Sequence, residues 1–147
     1  MSSFEDILNR PAEAIERPKP IPSGWYNLIV KKFDKGTLGK NNTPVITYTF
    51  GIISPDEGVD ENEFQEFGGM AKLSEREHKH NFFVTDDAVW RLKEFVEVAC
   101  NVNTSGRSLG PCLPETINLQ VKAEFSIRPN KDDPKQLFSE IKNFAPA

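Results

Sequence analysis

Two histidines are the first residues in this sequence that could do chemistry. His78 and His80 stand two apart in the stretch HKHNFFV, which is typical of a β-strand, so both rings would lie on one face. A metal site would need further ligands, and no cysteine or carboxylate pair stands at a suitable spacing. Asp86 and Asp87 are explained as negative charge at the start of a helix. With no nucleotide-binding glycine loop, nucleophile elbow or zinc-protease motif, the sequence predicts no enzyme activity, no catalytic residue, no metal and no cofactor.

Basic and aromatic residues form a second group with possible chemistry. Single-stranded nucleic acid needs cations for its phosphates and exposed aromatic rings for its unpaired bases. The candidate basic residues are Lys31, Lys32, Lys35, Lys40, Lys72, His80, Lys122, Arg128 and Lys131. The candidate aromatic residues are Trp25, Phe33, Phe67 and one of Phe82 and Phe83. Phe82 and Phe83 must face opposite sides of a strand, and the sequence does not say which is exposed; we take Phe82 as the candidate. The alternatives are core packing for each aromatic and a solvated surface for each lysine.

One long amphipathic helix is predicted over residues 85–101, with Thr85 as its N-cap. Leu92, Phe95, Val96 and Ala99 recur at helical spacing and make one apolar stripe. Trp90 lies at the margin of the stripe and is interpreted as packing.

Five main strands are predicted around that helix, three before it and two after it. Apolar and polar residues alternate in the first, second and fourth strands, most clearly over residues 118–128. In the second strand we expect Ile46, Tyr48, Phe50 and Ile52 in the core. The predicted strands cover residues 24–34, 45–53, 78–84, 118–128 and 136–144. Phe67–Leu73, with Gly68 and Gly69, is expected to be a short edge strand or a flap.

This order predicts a mainly β protein, namely an OB-like five-stranded barrel with one helix between the third and fourth strands. A flap and an acidic loop are insertions. A β-sandwich and an open α+β sheet are the alternatives. Residues 21–147 would form the domain, and residues 1–20 an N-terminal arm with a short helix over 4–9, which is a candidate surface for self-association.

Charge is unevenly distributed along the chain. The net charge is −4, but the stretch 55–66, PDEGVDENEFQE, holds six acidic residues and no basic one. The remaining chain is weakly basic, with 18 basic against 16 acidic residues. The acidic loop is either a solvated insertion or a negative element that covers a basic groove, and it is a candidate contact for replication or recombination proteins. Two cysteines are too few for a disulfide framework, and no apolar run of about 18 residues predicts a membrane helix.

Several motifs together carry a resemblance. RPKPIPSGWY resembles the PKPLPxGxY-like opening of a family of phage single-stranded DNA-binding proteins. The similarity continues through FFVTDDAVWRLKEFVEVACNV, SGRSLGPCLPETI, LQVKAEFSIRPNKDD and SEIKNFAP, in the same order. The resemblance implies an OB-like fold and binding of single-stranded DNA, without sequence specificity, during phage replication or recombination. Many single-strand binders end in an acidic tail, whereas this chain ends NFAPA.

The sequence thus predicts a protein that coats single-stranded DNA in the cytoplasm of an infected bacterial host. The alternative is a structural or protein–protein interaction module, of a virion or a replisome, that does not bind nucleic acid. A small nuclease is disfavoured because no convergent set of acids or histidines is present.

Overall fold

The structure, a computed structural model, describes residues 8–9, 19–133 and 135–147. Its strands are β1 (Gly24–Leu38), β2 (Thr43–Pro55), β3 (Glu77–Phe83), β4 (Gln120–Pro129) and β5 (Leu137–Pro146). They form one antiparallel sheet in the order β3-β2-β1-β4-β5. The predicted mainly β fold with five strands is confirmed, and the sheet is open, with β3 and β5 as its edges. The predicted arm lies outside the described residues, except for residues 8–9 and 19–20.

Strand β1 is long and changes partners along its length. Its first part, Gly24–Ile29, pairs with β4 as well as β2, whereas residues 33–38 pair with β2 alone. The register with β2 shifts between Val30 and Lys32, so Lys31 is an extra residue in β1. Such a bulge bends a strand and changes which residues face the core.

The core lies on one face of the curved sheet. The four β2 residues expected in the core, Ile46, Tyr48, Phe50 and Ile52, are all at most 7% exposed. Tyr48 donates to or accepts from Thr116, with 3.0 Å between the two hydroxyl oxygens. The hydroxyl thereby keeps a partner inside the apolar core, as a buried phenol needs.

The predicted helix is present but begins later than its sequence suggests. Residues Thr85 to Ala88 form a turn, and helix α3 runs over Val89–Glu94, continuing as a π-helical turn over Phe95–Ala99. The expected stripe of Leu92, Phe95, Val96 and Ala99 is buried. This helical segment lies against both β3 and β5. A short helix, α4 (Leu109–Cys112), and a 3₁₀ turn lead on to β4.

The segment between β2 and β3 is helical, not a flap or an extended loop. Helix α1 (Glu61–Phe67) starts at Asp60, whose carboxylate accepts a hydrogen bond from the Glu63 amide at 2.9 Å. Helix α2 (Gly69–Leu73) follows after Gly68, which has a φ of 121°. Phe64 and Phe67 are buried in the core. Burial of these two rings, one helical turn apart, explains why the segment folds as a helix.

Candidate nucleic-acid interface

The face of β1, β2 and β3 that points away from the core, here called the outer face, has a simple layout. Pairing register places its residues in four rows across the three strands. The rows are Ile29–Gly51–Glu77, Lys32–Thr49–Lys79, Asp34–Thr47–Asn81 and Gly36–Val45–Phe83. The central strand contributes only small side chains, and Thr49 is 2% exposed between longer neighbours. The outer face is therefore a shallow track with a low floor and taller edges.

Lysines line this track at the bulge of β1. The Lys31 side chain lies across Gly51 and reaches Glu77, with 2.8 Å between the ammonium nitrogen and the carboxylate oxygen. A Cβ atom at Gly51 would stand 2.7 Å from Lys31 Cε, so glycine leaves the room that this lysine uses. The hydrogen bond and charge of Lys31 lower the pKa of Glu77. Lys32 and Lys79 flank Thr49 in the next row, and both are exposed.

Phe83, and not Phe82, is the exposed aromatic of β3. The Phe82 ring is 4% exposed and packs on Tyr48, Phe95 and Phe144, with centroids 5.1–5.8 Å apart. The base-stacking role predicted for Phe82 is therefore wrong, because a base cannot reach a buried ring. Phe83 points to the outer face and is 43% exposed.

Simple alternation along β1 would place Phe33 and Trp25 on the same face, but the structure places them on opposite faces. The extra residue at Lys31 shifts the alternation, so Phe33 pairs with Tyr48 in the register and turns toward the core. Its ring lies 5.7 Å from the Tyr48 ring, and it is half-buried. Phe33 is thus placed at the margin of the core, where a packing role competes with the predicted stacking role.

His80 is not a cation at neutral pH, which corrects its predicted role as a phosphate contact. Its ring packs edge-on against Phe82 and Phe144 on the core side of β3. Burial, followed by repulsion from His78 and Arg91, lowers the His80 pKa to about 4. Burial and Arg76 lower the pKa of His78 to about 4 in the same way. Both rings face the same side, as predicted, but as neutral partners of aromatic rings.

Phe67 and Lys72 lie off the sheet. Phe67 is 8% exposed at the end of α1, stacks on Phe64 and is covered by the Arg76 guanidinium at 5.5 Å. A stacking role for Phe67 is wrong for the same reason as for Phe82. Lys72 is exposed on α2, beside Glu75 at 3.8 Å. The structure does not bring Lys72 into the rows of the outer face.

Three predicted residues lie on the same side of the sheet, farther along β1 and β4. Trp25 is half-buried. Lys122 pairs with Asp56 at 3.1 Å. Arg128 pairs with Glu140 at 3.2 Å, and its guanidinium lies 5.5 Å from the Phe138 ring. Lys122 and Arg128 are thus each paired with a carboxylate, as Lys31 is with Glu77 and Lys32 is with Asp34, at 3.8 Å, on the outer face.

The remaining predicted cations lie beyond the core on the two hairpins. Lys35 is exposed near the end of β1, and Lys40 is exposed in the β1–β2 turn. Lys131 is exposed in the connection between β4 and β5. In the register Lys35 lies opposite Ile46, on the core side of β1, so it does not belong to the outer face.

Sequence reasoning left open which of Phe82 and Phe83 is exposed, took Phe82 as the candidate, and interpreted Trp90 as packing. Trp90 is 52% exposed, and the Arg91 guanidinium lies 5.3 Å from its ring. A signal for Phe83 was present in the sequence, since Lys79, Asn81 and Phe83 alternate with His80 and Phe82 on β3. No such signal distinguishes an exposed tryptophan at the margin of a helical stripe from a buried one.

The acidic segment is anchored to the sheet at its start. The Trp25 amide donates to the Glu57 carbonyl at 2.8 Å, and the Asp56 amide donates to the Trp25 carbonyl at 2.7 Å. The Lys122 ion pair and hydrogen bond lower the pKa of Asp56. The segment then continues into α1, which packs on the core through Phe64 and Phe67. The acidic residues therefore belong to a folded, solvated segment that contains a helix, and not to an extended loop.

Other kinds of site have no support in the described part of the chain. It contains no group of three or more His, Cys, Asp or Glu side chains arranged to hold a metal ion. Cys100 and Cys112 are both buried thiols, and burial raises the pKa of Cys100 to about 12. Among the helices described, none has the length and apolar character needed to span a membrane.

No protein-family model matches this chain, and no curated protein matches it.

Proposed function

We propose that this protein binds single-stranded DNA without sequence specificity and that the outer face of β1, β2 and β3 is the binding surface. The observation that carries the proposal is the row Lys32–Thr49–Lys79, in which two exposed lysines stand on either side of a small residue. A single strand needs a positively charged track for its backbone and an aromatic surface for its bases. Phe83, exposed at the end of the same face, supplies the aromatic surface.

We also propose that the sheet is a partly open barrel of the OB type. In that fold the face of the second and third strands and the loop between the first two strands bind oligonucleotides. The strand order here is the order of such a barrel opened between β3 and β5. Phe144 of β5 lies 5.2 Å from His80 and 5.8 Å from Phe82 of β3, measured between ring centroids, so side chains of the two edge strands meet in the core.

The biological setting proposed is phage DNA replication or recombination in the cytoplasm of an infected bacterium. It rests on the sequence resemblance described above, and the geometry adds that the surface has no base-reading helix. Contacts to phosphates and ring faces are the same for all sequences. Such a surface suits a protein that coats whatever single strand is exposed.

The test compares three purified variants with the parent protein for binding to an oligo-dT across a salt series. Lys79→Glu removes one phosphate contact from the outer face, so affinity should fall and the slope of log K against log salt should flatten by about 0.7. Phe83→Ala should lower affinity by the roughly 1–3 kcal/mol that a stacked base contributes. Lys72→Glu changes the net charge by the same amount on α2, away from the outer face, and serves as the matched control.

Equal losses in Lys79→Glu and Lys72→Glu would show that net charge, rather than the outer face, determines affinity. A parent protein that binds neither single-stranded nor double-stranded DNA would contradict the proposed function and favour the interaction module. Tighter binding to duplex than to oligo-dT would contradict the single-strand assignment.

A further inference from the structure

A second groove lies on the other side of strand β3, between the helical segment and β5. It has a volume of about 510 Å³. Its lining residues divide by exposure: the half-buried His80 and Phe144, above the buried Phe82, form the floor, and the exposed Trp90, Arg91 and Lys142 form the rim. The groove therefore brings aromatic side chains and two cations together at a place separate from the outer face.

Trp90 is the unusual residue of this groove. Its helical neighbours Leu92, Phe95 and Val96 are buried, whereas the largest side chain of the helix is 52% exposed. The Arg91 guanidinium lies 5.3 Å from the centre of the ring, and Trp90 is one of the residues that line the groove. An exposed indole next to a guanidinium is an arrangement on which a nucleobase can stack.

The charges around the groove favour an anionic ligand. Arg91 comes from the helix and Lys142 from β5, at a register shift between β4 and β5 that turns it outward. Glu94 is the one acidic side chain on the rim. His80 on the floor is neutral at pH 7, because burial lowers its pKa to about 4. The floor thus carries no charge, and the rim carries a net positive charge.

We propose that Trp90 is a second stacking site for a base of single-stranded DNA, with Arg91 and Lys142 contacting the neighbouring phosphates. The inference rests on the proposed function and extends it to the path of the strand. Strand β3 has no partner at its outer edge within the described residues, and it presents Phe83 to one side and the groove to the other. A single strand that leaves the outer face at Phe83 would cross this edge and reach Trp90.

The first measurement uses binding of an oligo-dT of about 15 nucleotides, near the upper end of the length that one such domain covers. Trp90→Leu keeps apolar bulk but removes the ring, and should weaken binding about 5- to 150-fold, equivalent to roughly 1–3 kcal/mol. Trp90→Phe keeps a ring and should retain most of the affinity. Met70→Ala, a change at an exposed apolar residue of α2 outside the groove, is the control and should bind like the parent.

The second measurement follows Trp90 directly. The chain contains two tryptophans, so Trp25→Phe leaves Trp90 as the only indole. Its fluorescence should be quenched on saturation with the oligonucleotide, and iodide should reach it less easily in the complex.

The outcomes separate the two proposals. If the parent binds oligo-dT while Trp90→Leu binds equally well and Trp90 emission stays unchanged, the second site is wrong and the outer face stands. Equal losses in Trp90→Leu and Met70→Ala would show a general effect of removing exposed apolar side chains and would also overturn the inference. If the parent does not bind single-stranded DNA, the proposed function and the second site both fail.

Discussion

Lowering the pH from 7 to 5 should destabilise this protein through His78 and His80. Both rings are packed against aromatic side chains, and burial lowers each pKa from 6.5 to about 4. Between these two values the unfolded chain binds protons that the folded chain does not, so the free energy of unfolding falls as the pH falls. The stability that the two neutral histidines provide is fully present above pH 6.5 and is lost progressively as the pH falls toward 4.

The size of this effect follows from the same two values. A shift of one pKa unit corresponds to about 1.36 kcal/mol. Each histidine would therefore lower the free energy of unfolding by about 2 kcal/mol at pH 5. The two charges also stand two residues apart, and both rings retain some solvent contact. We therefore expect a combined loss of about 2–4 kcal/mol, or roughly 6–12 °C in Tm for a chain of this size.

The assay is urea unfolding at pH 7, 6 and 5, for the parent and for a His78→Asn, His80→Gln double variant. The double variant loses ring contacts and will be less stable at every pH, so the slope against pH is the quantity to compare. Asp56, Glu77 and Glu115 have lowered pKa values. They lose their stabilising charge only below pH 5, so they do not change the slope between pH 7 and pH 5. A parent whose stability is flat between pH 7 and 5, or a double variant with the slope of the parent, would refute the reasoning.

Two further predictions concern packing. Phe82→Ala should cost about 3–5 kcal/mol of stability because it empties a core site, whereas Phe83→Ala should cost less than about 1 kcal/mol; similar losses in urea unfolding would contradict the assignment of the two faces. Gly24→Ala should destabilise the protein by more than about 2 kcal/mol, because a Cβ atom there would stand 2.7 Å from the Val59 amide nitrogen. Gly36→Ala should be near neutral, because a Cβ atom at Gly36 would have nothing within 4 Å. Equal melting temperatures of the two glycine variants would count against the close approach at Gly24.

Alternation predicted the sheet well where the strands are regular. In β2 the residues from Ile46 to Ile52 keep the period of two, so every second side chain, from Ile46 to Ile52, is buried in the core. In β1 the same rule fails after Val30, since one extra residue moves Phe33 to the core side. Nothing in the letters IVKKFDK marks a bulge, because its position depends on how β1 pairs with β2.

The helices show a different limit. The stripe from Leu92 to Ala99 was predicted correctly, but Thr85 looked like an N-cap and instead opens a turn before Val89. The helix α1 was missed, although Asp60 followed by Glu63 is a capping signature. The acids of that stretch suggested a solvated loop, whereas Phe64 and Phe67 determine its fold by packing in the core.

The bulge at Lys31 links the fold to the proposed function. With a regular β1, either Lys31 or Lys32 would face the core side; with the extra residue both lie on the outer face, one across Gly51 and the other beside Thr49. A bulge also increases the local bend and twist of a strand, and β1 is the central strand of the sheet. The extra residue at Lys31 places two adjacent lysines on one surface. It therefore also favours the curvature that brings the rings of β3 and β5 together. Alternation is lost at Lys31, where the candidate surface gains its lysines, so the sequence could name these residues but not the face on which they lie.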